Sequence, residues 1–109
     1  MAQFDVHRNL SSLRVAIPFV VIVQSSQFDA SRSRVVVPLV SKKAMPSGLL
    51  KVRAKINPEF VIAGQPVVFH PLEMSAVPTN QLGEWVATLE DSGLEITDAL
   101  DELFTRSWK

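Results

Sequence analysis

The fold of this chain is decided first by residues 92–104, which read SGLEITDALDELF. Apolar residues recur there at the helical spacing i, i+3, i+4, i+7 and i+8, beginning at Ile96 and ending at Phe104. Acidic residues occupy most of the other side, and their early position suits the helix dipole. Ser92 and Glu95 have the spacing of a capping box, in which the serine oxygen accepts a backbone N–H. We therefore predict a C-terminal amphipathic helix.

Upstream of this helix the sequence is typical of β-strands separated by short breaks. Residues 17–23 are almost all apolar, as expected for a central strand covered on both faces. Residues 34–40 are rich in valine but contain Pro38, which has no amide hydrogen to give to a sheet ladder. We therefore predict that this strand lies at a sheet edge or contains a bulge. Residues 85–89 fit either a last strand or a short helix.

Shorter patterns complete the predicted sheet. Residues 3–7 and 51–56 alternate between polar and apolar side chains, which predicts strands with one face in the core. Residues 60–62 and 65–69 flank Ala63-Gly64, which is the pattern of a β-hairpin. The fold class that follows is mainly β (α+β), a small antiparallel sheet with one C-terminal helix.

Length and composition exclude several classes of protein. The chain has 109 residues, which favours a single domain over residues 1–109, and 47% of them are hydrophobic, enough for a core. The absence of cysteine excludes disulfides, thiolate metal sites and cysteine nucleophiles. His7 and His70 have neither metal-ligand spacing nor the partners of a general base. We expect both to be surface or hydrogen-bonded residues, and we expect no metal, cofactor or catalytic site.

Charge is distributed unevenly along the chain. Residues 1–60 carry a net charge of +6 and residues 61–109 a net charge of −6. One interpretation is a docking face for an acidic partner or a phosphate backbone, with cations at Arg32, Arg34, Lys51, Arg53 and Lys55. The other is attraction between a basic sheet and an acidic helix within the fold.

The longest apolar run, residues 16–23, has eight residues. A membrane-spanning helix needs about 20. A signal peptide is also disfavoured, because Pro18 interrupts the run and no small-x-small cleavage site follows it closely. A buried strand explains the run better than a signal peptide does, so we expect no membrane partner.

Short blocks along the chain share the order and spacing of a known family. They are Gln3-Phe4-x-Val6, Gln24-Ser25 with Asp29, Arg34-x-Val36-x-Pro38-Leu39, Met74-x-x-Val77-Pro78, Leu82-Gly83-x-x-Val86-Ala87-x-Leu89, and Ile96-x-x-Ala99-Leu100 with Phe104. Together they resemble the CcdB family of bacterial toxins over nearly the whole chain.

The resemblance implies a small sheet curved like an SH3-like barrel, as in CcdB and MazF, with a C-terminal helix, assembled as a homodimer. It implies the toxin of a type II toxin–antitoxin module, acting in the cytoplasm. Such a toxin is no enzyme: it binds the A subunit of DNA gyrase and traps gyrase on cleaved DNA. A CcdA-like antitoxin neutralises it through a disordered segment, and operator DNA is bound only through the toxin–antitoxin complex.

The chain departs from the family at the tip that enters gyrase. The family usually follows its helix phenylalanine directly with tryptophan, glycine and an aliphatic residue, whereas Phe104 is followed here by TRSWK, residues 105–109. If the helix continues, a shift of three residues rotates the tryptophan by about 300° and advances it by about 4.5 Å. We predict Trp108 to be the aromatic anchor of the target contact. The predicted gyrase contacts are Trp108, Ser107 and Lys109, and the predicted dimer contacts are Leu103 and Phe104.

Two other functions stay open at this point. The related MazF and Kid toxins are endoribonucleases with the same architecture, and the basic residues would suit RNA, although no acid–base pair is placed beside them. A family member that folds and binds antitoxin but has lost toxicity would account for the altered tip.

Overall fold

The structure, a computed structural model, describes residues 1–45 and 55–105, where seven strands precede one helix. In chain order these are β1 (Asp5–Asn9), β2 (Phe19–Ile22), β3 (Ser33–Ser41), β4 (Glu59–Ile62), β5 (Gln65–Phe69), β6 (Ser75–Pro78), β7 (Leu82–Thr88) and α1 (Gly93–Phe104). The predicted strand at 51–56 lies mostly outside the described residues, and Lys55 and Ile56 form a turn.

The strands form one curled antiparallel sheet, and α1 follows the last strand, β7, in the chain. The order across the sheet is β4-β5-β3-β2-β1-β7, and β6 pairs with β3 next to β5. Each strand pairing in the described residues is antiparallel. The sheet is a half-barrel with a single C-terminal helix, which confirms the predicted mainly β (α+β) fold.

Strand β3 is central, so the prediction that Pro38 marks an edge or a bulge was wrong. Pro38 pairs with Val20 of β2 in continuous register. On its other side β3 pairs with β6 as far as Val36 and with β5 from Leu39 onward. The Pro38 carbonyl points into the interval between them, where it accepts a hydrogen bond from the His70 N–H at 3.1 Å. In an antiparallel sheet the N–H and C=O groups of one residue point toward the same neighbouring strand. The amide hydrogen that Pro38 lacks would therefore point into this same interval, where neither the β6 nor the β5 ladder needs it.

The hairpin between β4 and β5 confirms the prediction from Ala63-Gly64. Ile62 pairs directly with Gln65, which leaves a two-residue turn. Both turn residues have positive φ, 51° at Ala63 and 78° at Gly64. This is the type I′ geometry, whose twist matches that of the flanking strands.

Two apolar clusters lie on opposite faces of the sheet. The larger joins β1, β2, β3, β5 and α1, and its members include Val6, Phe19, Val37, Phe69 and Ile96. The smaller consists of Val20, Ile22, Val36 and Leu82. Successive strand residues point to opposite faces, so β2 supplies both clusters, and all four of its residues are buried. The prediction of a strand covered on both faces is confirmed.

The pairing of β1 with β7 settles the ambiguous segment 85–89, because β7 is a strand throughout Leu82–Thr88. The register between the two strands shifts on both sides of His7, as it does at β-bulges. Gly83 lies at this irregularity, and a methyl group there would be 2.7 Å from the Arg8 carbonyl oxygen. Strand β1 begins at Asp5, later than the predicted residue 3.

Helix α1 confirms the predicted periodicity but not the predicted cap. Ile96 and Ala99 are buried, as a core-facing stripe requires. Ser92 is the N-cap residue, yet its side chain makes no capping hydrogen bond. A 3-10 turn at Glu90–Ser92 gives Ser92 a φ of −104° and a ψ of 16°, outside the extended conformation that aims an N-cap oxygen at the helix. In the described residues no helix is long and apolar enough to cross a membrane.

Candidate target-binding site

The predicted dimer contacts lie at the end of α1, and the predicted target contacts follow them in the sequence. Leu103 is half-buried, whereas Phe104, the last helical residue, is 62% exposed. The Thr105 N–H and Oγ1 both donate to the Asp101 carbonyl oxygen at 2.8 Å. Thr105 itself has a φ of −128° and leaves the helical conformation. The condition that the helix continues beyond Phe104 therefore fails at Thr105.

The predicted contacts divide into two groups. Ser107, Trp108 and Lys109 lie outside the described residues and stay predictions. Leu103 and Phe104 are described, and the exposed Phe104 ring does not pack in the core of its own subunit although it continues the apolar stripe. Their assignment to a dimer interface stays a prediction.

Two exposed aromatic side chains escaped the sequence reasoning. Trp85, on the edge strand β7, is 55% exposed, and Phe28, in the 3-10 turn Ser26–Phe28, is 49% exposed. Trp85 was missed because its segment had no assigned structure, so the face that it occupies could not be predicted. Phe28 stands alone among polar residues, and that isolation is the signal that could have found it.

Arg34 is the largest fully buried side chain in the described residues. Its Nε donates to Gln24 Oε1 at 2.8 Å, its Nη2 donates to Asp29 Oδ1 at 3.4 Å, and its Nη1 donates to the Met1 carbonyl oxygen. A buried guanidinium is tolerated when its donors are satisfied in this way. The prediction of a phosphate-binding face that includes Arg34 is therefore wrong, because this cation cannot reach a ligand.

The other predicted members of the basic face are not brought together by described contacts. Arg32 and Lys55 are exposed, while Lys51 and Arg53 lie outside the described residues. The ion pairs of the described part are Arg8–Glu84 at 2.7 Å, Lys42–Glu59 at 3.1 Å and Arg34–Asp29 at 3.4 Å. Since none of them includes a residue of α1, direct ion pairing between a basic sheet and an acidic helix is not what holds these described elements together.

His7 is buried, contrary to a surface position, and half of its ring is satisfied. Its Nδ1 lies 2.9 Å from the Gly83 carbonyl oxygen, so Nδ1 carries the hydrogen. Its buried Nε2 has no hydrogen-bond partner among the described residues. Buried polar atoms without partners are uncommon in folded proteins. The bulge at Gly83 thus orients the imidazole without offering it a proton-transfer partner.

His70 lies at the end of β5 in a structural setting. The Asn57 amide Nδ2 donates to the Phe69 carbonyl oxygen at 3.0 Å and lies 3.5 Å from His70 Nδ1. The His70 backbone N–H is the group that binds Pro38. Across residues 1–45 and 55–105 there is no group of three or more His, Asp or Glu side chains that could hold a metal ion.

A groove of about 510 Å³ opens between the segment that follows β1 and the end of β3. It is lined by apolar side chains that include Leu13 and Val15, and its polar members are Ser12, Ser41 and Lys43. Of the predicted contacts that the structure describes, neither Leu103 nor Phe104 lines it.

The comparison with protein families covers almost the entire chain. A family model described as CcdB protein matches residues 3–105, so only residues 106–109 of the divergent segment 105–109 lie beyond the match. A search of curated proteins gave no match. The sheet order, the C-terminal helix and this match agree, and the chain belongs to the CcdB family of toxins from toxin–antitoxin modules.

Proposed function

We propose that this chain is a toxin that binds the A subunit of DNA gyrase and traps gyrase on cleaved DNA. The observation that carries the proposal is the family match over residues 3–105, which includes the sheet and all of α1. Trp108 is the proposed anchor, flanked by Ser107 and Lys109. Trp108 follows the last helical residue, Phe104, by four positions in the sequence. Its indole is a large apolar group that a partner can bury, and such groups dominate interfaces.

The toxin acts as a cytoplasmic homodimer in this proposal, with Leu103 and Phe104 at the dimer contact. An exposed Phe104 beside a half-buried Leu103 supports that placement, because burying an aromatic ring against a second subunit removes apolar surface from water. A CcdA-like antitoxin neutralises the dimer, and operator DNA is bound only by the toxin–antitoxin complex.

The action is binding without catalysis. An endoribonuclease would need a cation and an acid–base pair around one phosphate. Among the described candidates, Arg34 is enclosed by Gln24, Asp29 and Met1, and His7 is buried with Nδ1 held by Gly83. Neither group can serve RNA, whereas Arg32 and Lys55 are exposed and accessible to a phosphate. We favour the gyrase toxin over a MazF-like nuclease because Arg34, one of the two arginines on which the nuclease hypothesis rested, is enclosed.

The proposal is tested by expressing the chain in bacteria with ordinary gyrase and in bacteria whose gyrase resists family toxins. We expect killing of the sensitive strain alone, together with accumulation of cleaved DNA by purified gyrase. Trp108→Ala should abolish both effects because it removes the anchor. Trp85→Ala is the matched control, since it removes the other tryptophan, which is exposed on β7, and it should remain toxic.

Three outcomes contradict the proposal. Killing of both strains with cut RNA would show an endoribonuclease. A folded chain that kills neither strain would be a non-toxic family member that retains antitoxin binding. Toxicity that survives Trp108→Ala would remove the anchor from Trp108 while leaving gyrase as the target.

A further inference from the structure

Phe4 has an unusual backbone conformation for a bulky residue. Its φ is 71°, in the left-handed region where a side chain crowds the following carbonyl. In the described residues the other non-glycine with positive φ is Ala63, which belongs to a hairpin turn that requires it. Phe4 is the third residue of a turn, Ala2–Asp5, that is closed by a hydrogen bond from the Asp5 N–H to the Ala2 carbonyl oxygen at 3.1 Å. Turns with positive φ at the third residue favour glycine or asparagine there, so further contacts must hold a phenylalanine in this position.

Those contacts join Phe4 to the sheet and to the chain that enters α1. The Phe4 N–H donates to the Ile22 carbonyl oxygen at 2.6 Å, at the end of β2. The Phe4 carbonyl oxygen accepts the Leu89 N–H at 2.9 Å, just after β7. Both backbone groups are therefore used, and the left-handed conformation directs them to two different elements.

The Phe4 ring occupies the space that a side chain at Gly93 would need. Gly93 is the first residue of α1, and a methyl group there would lie 2.9 Å from Phe4 Cε2 and 3.4 Å from Cζ. Gly93 has a φ of −56° and a ψ of −39°, ordinary helical angles that alanine adopts easily. The glycine is thus required by the ring and not by its own backbone.

We propose that Phe4 and Gly93 form a lock that sets the direction in which α1 leaves the sheet. The capping hydrogen bond of Ser92 is not made, so the start of the helix is fixed by this contact instead. Ile96 and Ala99 hold the next turns against the core. Phe4 is a positioning residue, and its effect on the target rests on the proposed function, in which α1 presents the tip.

Because α1 is long, a small change of direction at Gly93 moves its far end by a large distance. Helix α1 has 12 residues, and at 1.5 Å per residue it extends about 18 Å from Gly93. A tilt of about 20° at its start would move its far end by about 6 Å over that length. A displacement of this size is enough to misplace an aromatic anchor in its pocket.

The direction of α1 can be measured without reference to any partner. The chain has no cysteine, so Val61→Cys on β4 and Thr105→Cys after α1 provide two defined sites for spin labels, both exposed. The labelled chain is diluted in unlabelled chain, so that distances within one subunit dominate in a dimer. We expect Gly93→Ala to shift the distance by several ångströms or to broaden its distribution, while Leu94→Ala, at the exposed neighbour, leaves it unchanged.

A double-mutant cycle tests the ring contact itself. Phe4→Leu removes Cε2 and Cζ, the ring atoms nearest Gly93, while it keeps an apolar side chain. Gly93→Ala should lower the melting temperature of the native chain, but should leave it unchanged or raise it in the Phe4→Leu chain, because alanine favours helix over glycine. If Phe4→Leu does not fold, the native chain still provides a test, since a nuclear Overhauser contact between the Gly93 Hα and the Phe4 ring is expected.

Any of three results would overturn the lock. They are an unchanged spin-label distance in Gly93→Ala, additive effects in the double-mutant cycle, and the absence of the Phe4–Gly93 contact by nuclear magnetic resonance. Ile96 and Ala99 would then be sufficient to position α1. Failure of the native chain to bind the gyrase A subunit would instead refute the proposed function, and the distance measurement would still decide the lock. If the lock and the proposed function are both correct, Gly93→Ala should weaken gyrase binding at temperatures where the variant is fully folded.

Discussion

At the scale of single residues, the buried charge of Arg34 is the feature that differs most from the surface position expected of a charged side chain. One interpretation of the sequence placed Arg34 among cations on a docking face, but Arg34 is enclosed and joins Gln24, Asp29 and Met1 to β3. These partners lie up to 33 residues away in sequence, so the contact fastens separate segments. The planar guanidinium suits this task because its donors point in several fixed directions.

Arg34→Lys should lower the free energy of unfolding by about 2–3 kcal/mol, since the single nitrogen of an ammonium group cannot reach three acceptors that three separate guanidinium nitrogens now reach. Chemical denaturation followed by circular dichroism measures the change. Arg32→Lys is the control at an exposed position, and it should change stability by less than about 0.5 kcal/mol. Equal effects at the two positions would show that the Arg34 contacts contribute nothing specific.

At the scale of elements, the β4–β5 hairpin and β3 show opposite relations between sequence and structure. The hairpin turn is a local property, because two residues with positive φ suffice to connect paired strands. The position of β3 is not local, because two separate strands, β6 and β5, share one of its sides. Pro38 fits between them without breaking a ladder.

The type I′ turn predicts opposite effects of two substitutions. Ala63→Asn should stabilise the protein by up to about 1 kcal/mol, because asparagine tolerates positive φ better than alanine does. Gly64→Ala should destabilise it by about 1 kcal/mol although nothing lies within 4 Å of the added methyl group, because the strain is in the backbone. Thermal unfolding measures both. A neutral Gly64→Ala would mean that the turn relaxes to another type.

At the scale of the whole molecule, the question is what covers the exposed end of α1. The described ion pairs do not involve the helix, and Phe104 remains exposed although it extends the apolar stripe. In the proposed homodimer a second subunit covers Phe104, and the twofold symmetry makes each such contact occur twice.

Phe104→Ser should raise the dimer dissociation constant by at least about 100-fold, because burying an aromatic side chain contributes about 1.5–3 kcal/mol in each of the two copies. Analytical ultracentrifugation over a concentration series measures the constant. Leu94→Ser is the control, since Leu94 is the other exposed apolar residue of α1, and it should leave the dimer intact. A native chain that sediments as a monomer would remove both the dimer and the role of Leu103 and Phe104.

The sequence by itself determined the local elements of this protein. Three predictions depended only on neighbours within a few residues, and all three were confirmed. They are the helical periodicity over residues 92–104, the apolar run at 17–23 and the Ala63-Gly64 turn. The family blocks were confirmed as well, because the spacing of residues along the chain is what a family shares.

Only the tertiary structure decided how distant segments meet. The central place of β3, the enclosure of Arg34 and the contact between the Phe4 ring and Gly93 each join parts of the chain that are far apart in sequence. The need for glycine at residue 93 is not a property of its immediate neighbours, because it comes from the ring of Phe4, 89 residues earlier in the chain. Such features arise when the sheet curls and brings these segments together, so no local pattern records them.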